Sequence, residues 1–176
     1  MSEAFRGEFN QKVDGKARVS IPMQFRRILE SDDPSCTDGT RPKFVMVYGD
    51  GGETGRAFVE CYTVTGMARL VARIRRMPPG KMATRVMTRQ YITLSQVVEV
   101  DDDGRIVLPP KVRERMGLAA DDLKDGVEAT FAGTLDTFQL WRRDVYDEVA
   151  AKQDDFDLDL PEGADLLSLL GDDPEE

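Results

Sequence analysis

One stretch of this chain is written twice. Residues 13–26 run Val-Asp-Gly-Lys-Ala-Arg-Val-Ser-Ile-Pro-Met-Gln-Phe-Arg, and residues 100–113 run Val-Asp-Asp-Asp-Gly-Arg-Ile-Val-Leu-Pro-Pro-Lys-Val-Arg. Without a gap the two share Val13/Val100, Asp14/Asp101, Arg18/Arg105, Pro22/Pro109 and Arg26/Arg113. Val19/Ile106, Ile21/Leu108 and Phe25/Val112 are apolar matches. A repeat of this length demands a pseudo-symmetric architecture. Its preserved polar pair, an acid at a turn and an arginine four residues on, is the part that can carry function.

Each copy spells a local structure. Phe5 to Lys12 and Tyr91 to Glu99 lead into an Asp- and Gly-rich turn, which gives way to a short strand. Asp14 and Asp101 suit the start of the turn, because a carboxylate there accepts from amides two residues on. Gly15 and Gly104 are the expected positive-φ positions of two tight hairpins. Val19 and Ile21 then share one strand face, and Arg18 and Ser20 the other. Pro22 and Pro109 are expected at the first position of a helix. Phe25, Ile28 and Leu29 form the apolar face of the first helix, Val112 and Met116 that of the second, and Gly117 its stop.

Further strands are expected at Val45–Val47 and Phe58–Tyr62, then at Val127–Phe131 and Phe138–Trp141 across Gly133-Thr134-Leu135-Asp136. Each half is thus β-β-α-β-β followed by a helix. Neither half can bury its own sheet faces, so residues 1–145 are predicted to be one pseudo-twofold domain. The expected segments are a first half at 5–64, a basic helical linker at 65–90 and a second half at 91–144, followed by a C-terminal helix and tail at 145–176. In the linker, Met67, Leu70, Val71 and Ile74 have helical spacing, and Pro78-Pro79-Gly80 ends that helix. Lys81 to Arg89 forms a second short helix before the expected strand at Tyr91.

Absences narrow the function. With no histidine among 176 residues, His-dependent nucleophile systems, His-ligated zinc and the commonest neutral-pH base are excluded. Carboxylates show no convergent pattern, so the chain is not expected to be an enzyme and needs no metal or cofactor. Cys36 and Cys61 stand apart without Cys-x-x-Cys spacing and are expected to be reduced thiols. No run of eighteen apolar residues and no signal-peptide core is present, which points to a soluble, cytoplasmic protein.

Net charge is −9, yet it is unevenly spread. Residues 153–176 hold ten acidic residues and no Lys or Arg, which leaves 24 basic against 23 acidic residues in 1–152. Seven cations fall between residues 61 and 98 with no acid among them: Arg69, Arg73, Arg75, Arg76, Lys81, Arg85 and Arg89. Distribution matters more than the total for a nucleic-acid partner. This segment suits either a solvated helical linker or a DNA-facing surface. The tail is expected to be mobile, and Asp165-Leu-Leu-Ser-Leu-Leu170 within it could serve as a short docking motif.

Phe5-Arg6-Gly7, Asp14-Gly15-Lys16-Ala17-Arg18-Val19-Ser20-Ile21-Pro22 with Phe25-Arg26, and the second turn from Asp101 to Arg105 together resemble the MraZ family over roughly residues 5–150. Those are bacterial transcriptional regulators encoded at the head of the division and cell-wall gene cluster, within the SpoVT–AbrB-like group. The resemblance implies an α+β, mainly β fold: a pseudo-twofold swapped-hairpin β-barrel of two repeats with flanking helices and an acidic C-terminal tail. It also implies sequence-specific binding to double-stranded DNA with repeated promoter boxes, a ring-like homo-oligomer, and a cytoplasmic, nucleoid-associated location.

Carried onto this sequence, the resemblance makes Arg18 and Arg105 the motif arginines, and the planar fork of arginine matches the guanine N7/O6 edge. Lys16, Lys12 and Arg6, on the same N-terminal hairpin, would meet phosphates, which position a protein without specifying sequence. Asp14 and Asp101 would structure the turns, and an ion pair with Asp14 is the alternative role for Arg18. Arg26 and Arg113 are expected in intersubunit or intramolecular salt bridges. Asp102 and Asp103 depart from the family pattern and would repel phosphate near Arg105. The loop 31–43 and the Gly49–Gly55 turn enlarge the first half.

Two stretches resemble other sites without their chemistry. Gly49 to Gly55 lacks the Gly-Lys-Ser/Thr ending of a phosphate loop, and Asp101-Asp102-Asp103-Gly104 lacks the alternate ligands and distal Glu of a calcium loop. The competing functional class is an antitoxin-like interaction module of the same fold group. Many of those are short single-copy chains, whereas this chain carries both copies.

Overall fold

In the computed structural model, which describes residues 3–53, 55–154 and 158–171, the repeated segments form two interlocked hairpins. Strands β1 (Glu8–Val13) and β2 (Arg18–Ser20) flank the first turn, and β5 (Ser95–Glu99) and β6 (Arg105–Val107) the second. Within a hairpin the two strands barely pair: β1 meets β2 only at Val13↔Val19. Instead β2 pairs antiparallel with β6, while β1 pairs with β7 (Val127–Thr134) and β5 with β3 (Lys43–Val47). Strands β4 (Phe58–Thr63) and β8 (Thr137–Arg142) complete one eight-stranded sheet in the order β5-β3-β4-β8-β7-β1-β2-β6. Its two end strands are joined by the second turn, so the sheet curls into a nearly closed barrel.

That order reads the same after exchanging the halves. The pseudo-twofold passes between β2 and β6 on one side and between β4 and β8 on the other. It is kept to the residue: Val19↔Ile106 maps onto itself, and Arg18↔Val107 and Ser20↔Arg105 map onto each other. The flanking bonds Ile21 N–H to Gly104 O (2.9 Å) and Leu108 N–H to Ala17 O (2.8 Å) likewise map onto each other.

Helices α1 (Met23–Ser31) and α4 (Pro110–Met116) follow the hairpins and drive their apolar faces into the barrel. Phe25, Ile28, Leu29, Val112 and Met116 are buried there. Phe25 stacks among Phe5, Phe9 and Phe138 at ring-centroid distances of 5.2, 5.4 and 5.0 Å. Aromatic contacts of this kind add roughly 0.5–1.5 kcal/mol beyond area burial. The core draws on both repeats, so neither half is complete alone.

Sequence and structure differ in several places. Pro22 and Pro109 occupy the N-cap, one residue before the first helical position. Gly117, by contrast, ends α4 in the left-handed conformation as the sequence leads one to expect. The expected strand at Tyr91 begins only at Ser95, because helix α3 (Met82–Thr88) runs on into a π-helical turn, Arg89–Thr93. Leu94 N–H closes that turn on Arg89 O, and Tyr91 packs beside Val45, Val47 and Met67. Helix α5 (Ala120–Asp125) was not expected; only Leu123 of it is buried, too faint a pattern to read. In the loop 31–43, the buried Asp33 accepts from Ser35 N–H, Ser35 Oγ–H and Lys43 N–H.

Helix α2 (Val64–Arg75) lies over β3 and β4, and its pseudo-equivalent α6 (Arg143–Asp154) over β7 and β8. Part of the acidic tail lies outside the described residues. The described part holds a 3-10 turn, Leu166–Leu169, with its leucines exposed. No helix among the described residues is long and apolar enough to cross a membrane.

Candidate nucleic-acid interface

The β2–β6 ribbon has one face in the core and one outside. Val19 and Ile106 point inward, while Arg18, Ser20, Arg105 and Val107 point outward. The register sets Arg18 beside Val107 and Ser20 beside Arg105, so the arginines stand diagonally across the pseudo-twofold. Diagonal positions on a ribbon are about 7–8 Å apart, close enough for two side chains to address neighbouring base pairs.

Each arginine is held by its own turn. Asp14 Oδ1 accepts from the amides of Lys16 and Arg18, both at 2.9 Å, and Asp14 Oδ2 accepts from Arg18 Nε at 2.7 Å. Ala17 N–H closes the turn on Asp14 O at 2.9 Å. The second turn repeats this: Asp101 Oδ1 accepts from the amides of Asp103 and Arg105, both at 2.9 Å, and Gly104 N–H bonds Asp101 O at 3.0 Å. Burial pushes the Asp14 carboxyl up, but the Arg18 amide and guanidinium and the Lys16 amide outweigh it and hold it below 3.8. For Asp101 the Arg105 amide is the main cause of a similar depression.

The positive-φ residue of the first turn is Ala17 (φ 61°), not Gly15; its counterpart is Gly104 (φ 76°). The turn needs its left-handed residue directly before the arginine, and Gly15 aligns instead with Asp102. Over Gly104 lies the Arg26 guanidinium, close enough that an added Cβ would stand 2.0 Å from Arg26 Nη1. Arg26 and Arg113 make no intramolecular salt bridge among the described residues, and the Nε of each is buried without a hydrogen-bond partner within the chain. Helix α1 brings Arg26 against the second turn instead of against a carboxylate.

The two ends of the ribbon differ in charge. Arg18 spends Nε on Asp14, and its two terminal nitrogens have no partner among the described residues. Lys16 stands exposed beside it. Arg105 is 3.6 Å from Asp101 Oδ2 and gives Nη2 to Asp103 at 3.1 Å. Sequence reasoning missed Arg41, which reaches from the 31–43 loop to bond both oxygens of Asp102 at 3.1 Å. That guanidinium lowers the Asp102 carboxyl and offsets part of the acidity of the second turn.

The remaining expected contacts are dispersed. Lys12 is exposed on β1 opposite Glu128, adjacent to the first turn. Arg6 precedes β1, against the β7–β8 turn where Phe5 pairs Leu135. At about 3.3 Å per residue, it stands some 25 Å from the Asp14 turn, at the opposite end of the barrel. The seven cations of the linker lie on the β3–β4 side, across the barrel from the ribbon, and none makes an ion pair among the described residues. They do not extend the arginine surface.

Comparison with known proteins follows the same line. The family described as "MraZ protein, putative antitoxin-like" matches residues 93–167. A protein of Cereibacter sphaeroides (strain KD131 / KCTC 12085) named "Transcriptional regulator MraZ" is 54% identical over 171 residues, 97% of each chain. One of Ruegeria pomeroyi with the same name is 42% identical over 172 residues, 97% of this chain and 96% of its own. A third, from Coxiella burnetii (strain Dugway 5J108-111), is 30% identical over 162 residues, 92% of this chain and 93% of its own.

Proposed function

The chain belongs to the MraZ family, whose members named above are transcriptional regulators, and from that premise we propose that it binds promoter DNA through the β2–β6 ribbon. Its DNA is the promoter of the division and cell-wall gene cluster, including that of its own gene, read as repeated boxes by a ring-like homo-oligomer associated with the nucleoid.

One observation carries the assignment of the site. Two arginines stand diagonally on one exposed ribbon: Asp14 fixes both the amide and the guanidinium of Arg18, while Asp101 fixes the Arg105 amide and Asp103 its guanidinium. Ordering them before binding lowers the entropic cost of a base contact. A two-stranded ribbon fits the B-DNA major groove, and a guanidinium there can bond guanine N7 and O6. Arg18 is the principal reader, with Arg105 secondary beside Asp103. Lys16 and Lys12 contact phosphates next to Arg18. Arg6, at the far end, would reach phosphate only where DNA runs along the barrel or passes another subunit.

The ion pair of Arg18 with Asp14 is compatible with reading, since it uses Nε and leaves the terminal nitrogens. An antitoxin-like role draws support from the family's description, but a fixed two-arginine ribbon favours DNA. The test is a gel shift with DNA upstream of the chain's own gene. Retarded complexes that a scrambled duplex fails to compete are expected; equal competition by scrambled duplex overturns the proposal.

A further inference from the structure

The pseudo-twofold that pairs the halves so closely fails in one layer, and the failure leaves two surfaces uncovered. Over the first half, α2 buries Met67 and Ile74, and its outer layer is completed by the turn after α3, where Tyr91 packs on Val45, Val47 and Met67. Over the second half, nothing among the described residues plays the part of that segment. Helix α6 has no buried residue; Val145, Tyr146, Val149 and Ala150 are half-exposed along a cleft of about 610 Å³. The cleft floor is the stacked pair Phe58 and Trp141, with ring centroids 4.6 Å apart.

Helix α3 has the converse problem. Its seven residues include none that is buried, and no side chain caps its N-terminus. A helix this short is not stable on intrinsic propensity and needs a packed face. Met82 (70% exposed) and Val86 (47%) lie one turn apart on the same face, with Ile92 exposed just beyond. Lys81, Arg85 and Arg89 surround them.

We propose that α3 of one copy docks in the α6 cleft of a second copy, Met82 and Val86 against Phe58, Trp141 and Val149. This rests on the homo-oligomer of the preceding section and names its contact surfaces. Charge favours it: α6 carries four carboxylates to two cations, Glu53 stands on the facing rim, Arg56 over the Phe58 ring is neutralised by Glu60, and the charged residues of α3 and its flanks are all cationic. Apolar side chains among the cations fit a protein surface better than phosphates. The contact joins two different patches, so it is head-to-tail and propagates into a closed ring or a filament. It leaves the arginine ribbon, on the opposite side of the barrel, free for DNA.

Two full-length proteins carrying Cys36→Ser, one with Val86→Cys and the other with Val149→Cys, are co-expressed with different tags and treated with oxidised glutathione. A reducible cross-link joining the two tags, absent when either variant is expressed alone, is expected. Light scattering on the Met82→Asp/Val86→Asp variant should show the oligomer falling to lower mass with its circular dichroism unchanged. Self-cross-linking of Val86→Cys alone, or no cross-link within a protein that still scatters as an oligomer, overturns the docking while leaving oligomerisation intact. A wild-type chain that scatters as a monomer overturns both. A cleft covered by the chain's own tail would join no two tags and also counts against the proposal.

Discussion

At the scale of single residues, Arg18 and Arg105 make the sharpest contrast, because one geometry places them and different neighbours surround them. Arg18→Ala should abolish specific retardation at concentrations where wild type binds fully, while the fold survives. A bidentate arginine contact contributes about 1–3 kcal/mol of discrimination, and an oligomer loses several together. Arg105→Ala should weaken binding less, because Asp103 already holds one of its terminal nitrogens. A folded Arg18→Ala protein that shifts promoter DNA like wild type refutes the assignment. An equal loss for Arg105→Ala means that the carboxylates of the second turn do not disadvantage its arginine.

Gly104 is a second residue-scale test. Its φ of 76° and the overlying Arg26 leave no comfortable place for a Cβ. Gly104→Ala should destabilise by about 1–2 kcal/mol through left-handed strain, read from chemical denaturation. Ala17 already bears such strain in the first turn, so Gly15→Ala should cost far less than Gly104→Ala.

At the scale of elements, the turns and the 31–43 loop are pinned by carboxylates, which gives them a pH dependence. Asp14, Asp33 and Asp101 are each held below 3.8 in the folded state. Depressed carboxyls contribute stability that is complete above the unfolded value and is lost as pH falls through the folded one. Melting temperature should therefore hold from pH 7 down to about 4 and decline below it. Asp101→Asn should flatten the decline, and an identical acid profile in that variant refutes the role given to the turn. Asp33 is the buried case. Replacing it with Ala strands the amides of Ser35 and Lys43 and should cost about 1–3 kcal/mol in urea unfolding.

At the scale of the molecule, one ribbon neutralises few phosphates, so useful affinity at physiological salt requires several copies on one DNA. Light scattering should report a mass well above a dimer of the 19.7 kDa chain. The acidic C-terminal segment should compete with phosphate for the exposed cations over roughly 8 Å, and less as salt rises. Deleting residues 155–176 should raise affinity for scrambled duplex at low salt and leave operator binding at high salt nearly unchanged. Superimposable salt series for the full and truncated chains refute that competition.

What the sequence determined by itself was local or repeated. Asp14 and Asp101, the alternation around Val19 and Ile106, and the helix faces of Phe25 and Val112 follow from short-range sterics and burial period, and duplication doubled each signal. The family resemblance supplied the barrel, and the structure bears it out. Only the tertiary structure decided the rest, because it depends on what neighbours across the sheet supply. It moved the left-handed position from Gly15 to Ala17, since the arginine's amide must reach the Asp carboxylate. It turned Tyr91 from a strand into a π-helical turn, because the ring is needed over Val45 and Met67, a contact that outweighs β propensity. Arg41 found Asp102 across 61 residues, a pairing that no local pattern encodes. It also separated Arg6 and the linker cations from the arginine ribbon. Charge along a chain is a one-dimensional quantity, and the closing of the barrel decides which charges share a face.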